Sequence, residues 1–183
     1  MFEGAFYFLR HGQTEANARG LISGALDVEL TTLGREQART AARALAFEPI
    51  TAIYSSPLCR ARETAEAVAR VLRLPVNIVP ELIERRRGQL EGKAFLYAED
   101  TMSHGDETFE DFTVRVLEGL SRVESSVPLL VAHLGVLRVL CRTLDIRHAE
   151  GPLANAIPLR FEQLPESGWK FEALPIGERQ TPL

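Results

Sequence analysis

Three short segments of the chain carry residue types that bind or transfer phosphate. Arg10 and His11 follow one apolar run, Arg60 comes soon after a second, and His133 follows a third. Guanidinium groups bind phosphate through paired, charge-assisted hydrogen bonds, and a neutral imidazole can attack phosphorus as a nucleophile. If these residues meet, they form a site for a compact, multiply charged anion, where the cations would stabilise a phosphoryl group during transfer.

The elements that must position these residues are short strands and the helices between them. Apolar runs predict four strands, and two further runs predict a closing strand pair. These six segments cover residues 5–9, 50–54, 76–79, 129–132, 157–161 and 169–173. Alternation of strands with helical apolar spacing predicts an α/β domain with a largely parallel sheet, in which ligands bind outside the carboxyl ends of the strands.

Capping residues mark the starts of two of the helices. Thr31 and Thr32 can cap a helix whose apolar face includes Leu33, and Ser56 is expected to cap a helix whose first residue is Pro57. The second prediction places Arg60 on the first turn of its helix, next to the end of a strand.

Length and charge limit the kinds of partner. The chain has 183 residues, with 21 Lys and Arg against 25 Asp and Glu, for a net charge of −4. We expect one domain over residues 1–174 and a C-terminal tail over 175–183. Without a basic excess, neither nucleic acid nor a membrane surface is an expected partner, and no apolar run approaches the ~20 residues needed to cross a bilayer.

Two cysteines and no leader-like N-terminus predict a cytoplasmic protein.

The histidines and cysteines do not follow the spacing of a metal site. The four histidines are scattered, and neither Cys-x-x-Cys nor His-x-x-x-His occurs. We therefore expect no metal and no cofactor, and we read His104 and His148 as surface residues.

An ordered set of motifs resembles the histidine phosphatase superfamily, in its phosphoglycerate mutase-like branch. The set follows the family's order from about residue 6 to about residue 138, roughly three quarters of the chain. Its members are Arg10-His11-Gly12-Gln13-Thr14, Asn17, Ser23-Gly24, Leu30-Thr31, Gly34, Gln37-Ala38, Ser56-Pro57-Leu58, Arg60-Ala61, Thr64, Glu81-Leu82, Glu84, Gly88, Glu91-Gly92, Gly105, Glu107-Thr108, His133 and Gly135-Val136.

The resemblance implies a fold and a role for each matching residue. The fold would be the phosphoglycerate mutase-like three-layer α/β/α sandwich around a largely parallel sheet. His11 would be the nucleophile that becomes phosphohistidine, and Glu84 would donate a proton to the leaving oxygen. The substrate phosphate would be held by five further residues: Arg10, Arg60, His133, Asn17 and Gly24. A carboxyl group must be neutral to donate a proton, and a nearby phosphate dianion favours the neutral form.

Each candidate residue also has an ordinary structural interpretation. His11 could be a solvent-facing loop histidine, His133 a core histidine, and Arg60 a side chain that reaches to solvent from a helix surface. Glu84 lies beside Arg85-Arg86-Arg87, a pattern typical of a solvated ion-pair cluster.

The charge run and the nearby carboxylates leave further alternatives open. The arginine run at 85–87 could be a solvated face or could bind a second anion. Glu81, Glu91 and Glu107 compete with Glu84 for the role of proton donor.

Three departures from the family pattern bear on function. Leu134 stands where the family usually has the first glycine of a His-Gly-Gly sequence, and it would be strained if that position requires a positive φ. Arg87 replaces an aromatic residue that the mutases carry before Gly88. The stretch from Glu84 to His133 is compact, whereas mutases carry a longer insertion there that grips phosphoglycerate.

The leading hypothesis is a metal-independent phosphomonoesterase that acts on a small phosphorylated metabolite through phosphohistidine. One alternative is phosphoglycerate mutase activity, in which the phosphoryl group returns to a substrate. Another is a catalytically weak module that binds phosphorylated ligands, which the substitution at Leu134 favours. No motif names the substrate or the oligomeric state.

Overall fold

Within the described residues, six strands form one mixed sheet: β1 Phe6–Arg10, β2 Ala52–Ser55, β3 Val76–Ile78, β4 Pro128–Ala132, β5 Pro158–Gln163 and β6 Trp169–Ala173. Their order across the sheet is β3-β2-β4-β1-β5-β6. The computed structural model describes residues 2, 4–94, 107–146, 154–165 and 168–176. His104, His148 and the tail beyond residue 176, for which predictions were made, lie outside these ranges. Within them, no helix is both long and apolar enough to cross a lipid bilayer.

The strands confirm the predicted largely parallel sheet and the closing strand pair. Strands β1, β2, β3 and β4 are parallel to one another, and β5 and β6 add an antiparallel pair at one edge.

In the part of the chain that the structure describes, five helices and two short 3₁₀ turns connect the strands. The helices are α1 Glu15–Ala18, α2 Thr32–Leu45, α3 Cys59–Leu72, α4 Phe109–Ser121 and α5 Leu134–Thr143, and the 3₁₀ turns are Pro80–Leu82 and Gly88–Leu90. Thr31 caps α2 as predicted, because its side chain accepts a hydrogen bond from the Gly34 N–H.

The two faces of the sheet bury separate apolar clusters. Along β1, Phe6 and Phe8 pack into the cluster that includes Phe112 of α4. Tyr7 and Leu9 alternate with them and pack into the cluster with residues of α2 and α3. The chain is therefore a three-layer α/β/α sandwich, as the resemblance implied.

Two details of the helix predictions are wrong. Leu33 was assigned to the buried face of α2, but it is 54% exposed. The helix after β2 begins at Cys59, with Leu58 as its N-cap and no side-chain cap, rather than with Ser56 as cap and Pro57 as first residue. The Ser56 hydroxyl lies 2.7 Å from a ring nitrogen of His133 and accepts a 3.4 Å hydrogen bond from the N–H of Leu58, the N-cap residue.

The carboxyl ends of three parallel strands lie at the same level of the sheet. Arg10, the last residue of β1, is in register with Ala132 at the end of β4, and Ser55 of β2 is in register with Val131. The backbone N–H groups of His11 and Ser56 continue these ladders, each donating a 3.0 Å hydrogen bond to β4. The residues that follow β1, β2 and β4 are thus brought to one edge, as predicted.

Candidate active site

His11 lies directly after β1 and is only 4% exposed. Its Nδ1 is 2.7 Å from the carbonyl oxygen of Gly12. Because a carbonyl oxygen can only accept, this contact assigns the ring hydrogen to Nδ1 and leaves a lone pair on Nε2. Burial, followed by the charges of Arg60 and Arg10, lowers the pKa of His11 well below its ordinary 6.5, so the ring is uncharged at neutral pH.

The loop after His11 is fixed by close backbone contacts. A Cβ at Gly12 would collide with the carbonyl group of Gly34, and a Cβ at Gly34 would collide with the carbonyl group of Gln13. The Gly12 N–H also donates to the hydroxyl of Thr64 in α3 at 3.1 Å. Several motif residues therefore hold the His11 loop against α2 and α3 rather than contacting a ligand.

Arg60 is buried, with 1% of its surface exposed, so the interpretation as a solvent-directed helix side chain is wrong. Its Nη1 donates to the Leu26 carbonyl at 2.6 Å and its Nη2 donates to the Gly24 carbonyl at 2.8 Å. Its Nε is buried and makes no hydrogen bond within the described residues. Arg60 thus carries a fixed positive charge beside His11 and orders the loop at Gly24.

The Gly24 loop needs its glycine for two reasons. Its φ is +51°, and a Cβ at this position would collide with the carboxylate of Glu91. That carboxylate accepts hydrogen bonds from the backbone N–H groups of Ala25 at 2.9 Å and Arg87 at 3.0 Å. Glu91 therefore ties the Gly24 loop to the arginine run.

Asn17 is oriented by three hydrogen bonds to its carbonyl oxygen. Oδ1 accepts from the N–H and the hydroxyl of Thr14, both at 3.1 Å, and from Nδ2 of Asn155 at 3.2 Å. Since Oδ1 is occupied, the amide NH₂ of Asn17 is the group left to face a ligand.

Asn155 is a site residue that the sequence analysis missed. Besides its contact with Asn17, its Nδ2 donates to the backbone carbonyl of His11 at 3.0 Å. The next residue, Ala156, has a φ of +54° and donates its N–H to the Arg10 carbonyl at 3.1 Å. The only available signal was position: Asn155 lies just before the predicted strand that closes the sheet.

His133 is fully buried after β4, and its ring centroid is 5.2 Å from that of His11. Its Nε2 lies 2.7 Å from the Ser56 hydroxyl, while its buried Nδ1 has no hydrogen-bond partner among the described residues. Burial, followed by the charges of Arg60, His11 and Arg10, lowers the pKa of His133 well below 6.5. It lies next to the nucleophile candidate but is not among the residues that line the pocket.

One pocket brings together six of the seven predicted site residues: Arg10, His11, Asn17, Gly24, Arg60 and Glu84. The remaining described residues that line it are Leu21, Ile22, Ser23, Arg85, Arg87, Phe109, Phe112, Leu134, Gly135 and Arg138. Burial also lowers the pKa of Arg10, although not enough to remove its charge.

Glu84 is the one carboxylate among the described residues that line this pocket. Its Oε1 accepts from the Arg85 N–H at 2.8 Å and its Oε2 accepts from the Gly135 N–H at 3.1 Å. A Cβ at Gly135 would collide with this carboxylate. The side chain is therefore held at the first turn of α5 rather than exposed in a solvated charge cluster.

The three competing carboxylates are engaged elsewhere. Glu107 pairs with Arg115 through two hydrogen bonds of 2.8 and 2.7 Å, and hydrogen bonds and charges from Arg115 and Arg86 outweigh its burial and lower its pKa. Glu81 pairs with Arg122, the residue that follows α4. Glu91 binds the backbone N–H groups described above, and none of the three is among the pocket-lining residues.

Leu134 is not strained. It is the first residue of α5 and is absent from the described non-glycine residues that have a positive φ. The substitution therefore changes the pocket wall, where Leu134 lies, and not the backbone. This finding removes the observation that favoured a weak binding module.

The described residues contain no group of three His, Cys, Asp or Glu side chains that could hold a metal ion. Both cysteines are free thiols, and Cys59 is half-buried whereas Cys141 is buried.

Comparison with known proteins identifies relatives of the whole domain. The sequence model of the histidine phosphatase superfamily (branch 1) matches residues 6–158. The chain is 35% identical over 176 residues to the adenosylcobalamin/alpha-ribazole phosphatase of Salmonella typhimurium, covering 86% of this chain and 85% of the relative. It is 32% identical over 171 residues to the metal-independent phosphoserine phosphatase of Arabidopsis thaliana, covering 81% and 71%.

A solved structure has the same fold. The mycobacterial glucosyl-3-phosphoglycerate phosphatase in its vanadate complex superimposes with a TM-score of 0.78 at 27% identity, covering 94% of this chain and 98% of that one. By contrast, the match to a probable phosphatase of Schizosaccharomyces pombe, 41% identical over 90 residues, spans only 32% of that relative's length.

Proposed function

The chain belongs to the histidine phosphatase superfamily and is a phosphohydrolase, and we propose that it hydrolyses a small phosphorylated metabolite through a phosphohistidine on His11. The observation that carries this proposal is the state of His11. Its Nδ1 is bound to the Gly12 carbonyl, its ring is uncharged, and two guanidinium groups lie beside it in the pocket.

In the first step, the lone pair on Nε2 of His11 attacks phosphorus in line with the leaving oxygen. The N–P bond forms as the O–P bond breaks, and the leaving oxygen takes the electron pair of the broken bond. The hydrogen bond from Nδ1 to the Gly12 carbonyl aims Nε2 and stabilises the positive charge that develops on the ring.

The phosphoryl oxygens are bound by cations and by oriented N–H groups. Arg10 and Arg60 offset the dianionic charge, and the amide NH₂ of Asn17 and the loop at Gly24 complete the pocket. Arg60 Nε and His133 Nδ1 are buried without a partner in the described structure, and unsatisfied buried polar atoms are uncommon in folded proteins. Arg60 lines the pocket, so an oxygen of a bound phosphoryl group would satisfy its Nε, which supports a role for Arg60 in binding. His133 is not among the described pocket-lining residues, and the proposal for its role rests on its ring lying next to that of His11.

Glu84 donates the proton that the leaving oxygen requires. The products of this step are a free alcohol, phosphohistidine and the Glu84 carboxylate. Water then attacks phosphorus, Glu84 takes a proton from that water, and inorganic phosphate leaves with His11 regenerated. The support for Glu84 is its position as the one carboxylate among the described pocket-lining residues.

The reaction as proposed needs neither metal nor cofactor, because arginine side chains supply the positive charge at phosphorus. Activity should therefore survive EDTA, and vanadate, which mimics pentacoordinate phosphorus, should inhibit. Loss of activity on chelation, with recovery on adding magnesium or zinc, would contradict metal independence.

The two free thiols support a reducing compartment, and we place the enzyme in the cytoplasm. Its partner is a small phosphorylated substrate, with no nucleic acid or membrane involved.

A panel of phosphorylated metabolites tests the proposed function, with His11→Ala as the blank. Release of inorganic phosphate by the wild type and not by the variant supports a phosphohydrolase. A mutase assay with a bisphosphate primer tests the alternative: if phosphate moves between positions of phosphoglycerate faster than it is released, the enzyme is a mutase.

A further inference from the structure

Apolar side chains line part of the pocket. The described residues that carry them are Leu21, Ile22, Phe109, Phe112 and Leu134. The mechanism proposed above uses none of them, because cations and N–H groups hold the phosphoryl oxygens. Apolar surface inside a pocket gains free energy when a hydrocarbon part of a ligand covers it. These side chains are therefore available for the alcohol part of the substrate, which carries the leaving oxygen.

Three of these residues come from the starts of two helices, and we call them the apolar wall. Phe109 and Phe112 lie on the first turn of α4, and Leu134 is the first residue of α5. All three pack in or against the same core cluster. Phe112 is fully buried in that cluster, whereas Phe109 and Leu134 are only half-buried and keep part of their apolar surface uncovered.

The apolar wall is held in place by contacts within the protein. Cζ of Arg142 lies 4.8 Å from the centroid of the Phe109 ring, and Cζ of Arg85 lies 5.9 Å from it. The rings of Phe109 and Phe112 meet edge to face, with their centroids 6.2 Å apart. Such contacts favour one ring orientation, so a ligand meets a preformed surface and does not have to order these side chains.

The apolar wall lies beside the proposed proton donor. The N–H of Gly135, the residue after Leu134, donates to the Glu84 carboxylate at 3.1 Å. A Cβ on Gly135 would meet both that carboxylate and, at 3.1 Å, Cε1 of Phe112. Because Glu84 must reach the leaving oxygen, the carbon bonded to that oxygen would lie next to the apolar wall.

We propose that Leu134 is a specificity-determining residue, which together with Phe109 and Phe112 binds a hydrocarbon or aryl group next to the leaving oxygen. The favoured substrates are then phosphate monoesters of apolar alcohols, in preference to polyol esters of the same size. Hydroxyl groups placed against the apolar wall would lose their hydrogen bonds to water without replacing them. This inference rests on the proposed function, because it takes the leaving oxygen to lie at Glu84.

Propyl phosphate and glycerol 3-phosphate are a matched pair of probes, because they share a three-carbon frame and differ by two hydroxyl groups. Ethyl and butyl phosphate change the apolar length by one methylene in each direction. The measured quantity is kcat/KM for the release of inorganic phosphate. Since the hydroxyl groups of glycerol make its alkoxide the better leaving group, a preference for propyl phosphate cannot come from leaving-group chemistry.

We expect the wild type to use propyl phosphate with a kcat/KM at least about 10-fold above that for glycerol 3-phosphate. From ethyl to butyl phosphate, kcat/KM should rise about 4-fold per methylene, as expected for burying one methylene group. Added salt should leave both ratios unchanged, because all four esters carry the same charge.

Leu134→Ala should lower the propyl-to-glycerol ratio about 4-fold and flatten the dependence on chain length. Leu134→Met keeps an apolar side chain of similar volume and should retain the wild-type ratio. Leu144→Ala is the matched control, because Leu144 follows the other end of α5 and is also half-buried against the core cluster. Leu144 is not among the described pocket-lining residues, so its replacement should lower stability and leave the ratio unchanged.

Competitive inhibition by alkylphosphonates provides a readout that does not depend on turnover, because their carbon–phosphorus bond is not hydrolysed. The inhibition constant should fall from ethylphosphonate to butylphosphonate in the wild type and should change less in Leu134→Ala.

Three results would overturn the inference: a propyl-to-glycerol ratio of one or less, an equal loss in Leu144→Ala, or a higher kcat/KM for the alkyl esters in Leu134→Ala. The last result would show that Leu134 only narrows the pocket. Failure of the proposed function looks different: the wild type would release no phosphate from any of the four esters, or His11→Ala would release it as fast as the wild type.

Discussion

The carboxylate of Glu84 accepts a 3.1 Å hydrogen bond from the backbone N–H of Gly135, across 51 residues of sequence. The contact places a carboxyl group at the first turn of α5, on the wall of the pocket that contains His11. It also explains why position 135 is a glycine, because a Cβ there would occupy the space of the Glu84 carboxylate. The placement of the proposed proton donor therefore depends on a residue with no side chain.

Gly135→Ala should displace Glu84 and impair catalysis in a leaving-group-dependent way. An alkyl alkoxide needs a proton as its bond to phosphorus breaks, whereas nitrophenolate leaves without one. We expect kcat to fall about 10²-fold on alkyl phosphates, at the lower end of general acid catalysis, with a smaller loss on nitrophenyl phosphate. Steady-state kinetics on both substrates measure this difference.

Gly119→Ala is the matched control for that experiment. Gly119 is also helical and also faces a glutamate, since a Cβ there would meet the Cβ of Glu81 at 2.7 Å. That glutamate lies outside the pocket, so Gly119→Ala should reduce stability without any leaving-group dependence. The same kinetic pattern in both variants would show that the effect is general destabilisation.

Glu84→Gln removes the proton and keeps the side chain's size and one of its two hydrogen-bond acceptor oxygens. The deficit should be about 10²–10⁴-fold on alkyl phosphates and much smaller on nitrophenyl phosphate, provided that phosphoenzyme breakdown does not limit both. Glu107→Gln, Glu81→Gln and Glu91→Gln serve as controls. A leaving-group dependence in Glu107→Gln, with none in Glu84→Gln, would transfer the role to Glu107.

Asn155→Ala should lower turnover by loosening both His11 and Asn17. The Nδ2 group of Asn155 holds the His11 carbonyl and the Asn17 side chain, and small displacements of reacting groups are costly. We expect kcat/KM to fall about 10-fold on nitrophenyl phosphate. The kcat/KM of Asn155→Asp should fall by a similar factor, because a carboxylate cannot donate a hydrogen bond to these oxygens.

Asn77→Ala is the control for Asn155. Asn77 also donates its Nδ2 to a backbone carbonyl, that of Ile53, but it lies on β3 away from the pocket. Both alanine variants should lose about 1 kcal/mol of stability per hydrogen bond. If the two variants lose the same activity, Asn155 has a structural role only.

The rings of His11 and His133 should be uncharged at pH 6. Burial and the neighbouring arginines lower the pKa of each ring well below 6.5, and nitrogen-resolved NMR should show His11 with its hydrogen on Nδ1. The lowered pKa values determine how the free energy of unfolding changes with pH. The unfolded chain binds more protons below about pH 6.5, so the free energy of unfolding should fall as the pH decreases from there.

Urea unfolding of His11→Asn measures how much of this pH dependence comes from the His11 ring. Its stability should change less steeply between about pH 6.5 and about pH 5 than that of the wild type. A His11 ring that titrates at or above 6.5 would contradict the proposed resting state of the nucleophile.

The strands themselves, and the edge of the sheet that carries the site, could be predicted from the sequence. Residues after β1, β2 and β4 meet because parallel strands end at a common level, and apolar runs reveal those strands directly. Which residues of a helix are buried, and where the helix begins, depend instead on the elements packed against it. Leu33 is exposed although it fits the apolar pattern, and Ser56 contacts His133 instead of capping α3.

The order of residues along the chain does not show which of the four candidate glutamates enters the pocket. Glu107 pairs with Arg115 of α4 and Glu81 pairs with Arg122, the residue after α4, and no local sequence pattern reveals either pair. Asn155 was missed for a related reason, because its partner Asn17 lies 138 residues away and no short motif joins them.

Rapid-quench labelling tests the central claim most directly. Wild-type enzyme mixed with phosphorus-labelled substrate should show an acid-labile, base-stable phosphoenzyme within one turnover, with the label on His11. His11→Ala should fold normally, form no such species and lose turnover, since no other group supplies the proposed nucleophile. A label on another residue, or wild-type turnover by His11→Ala, would contradict the account.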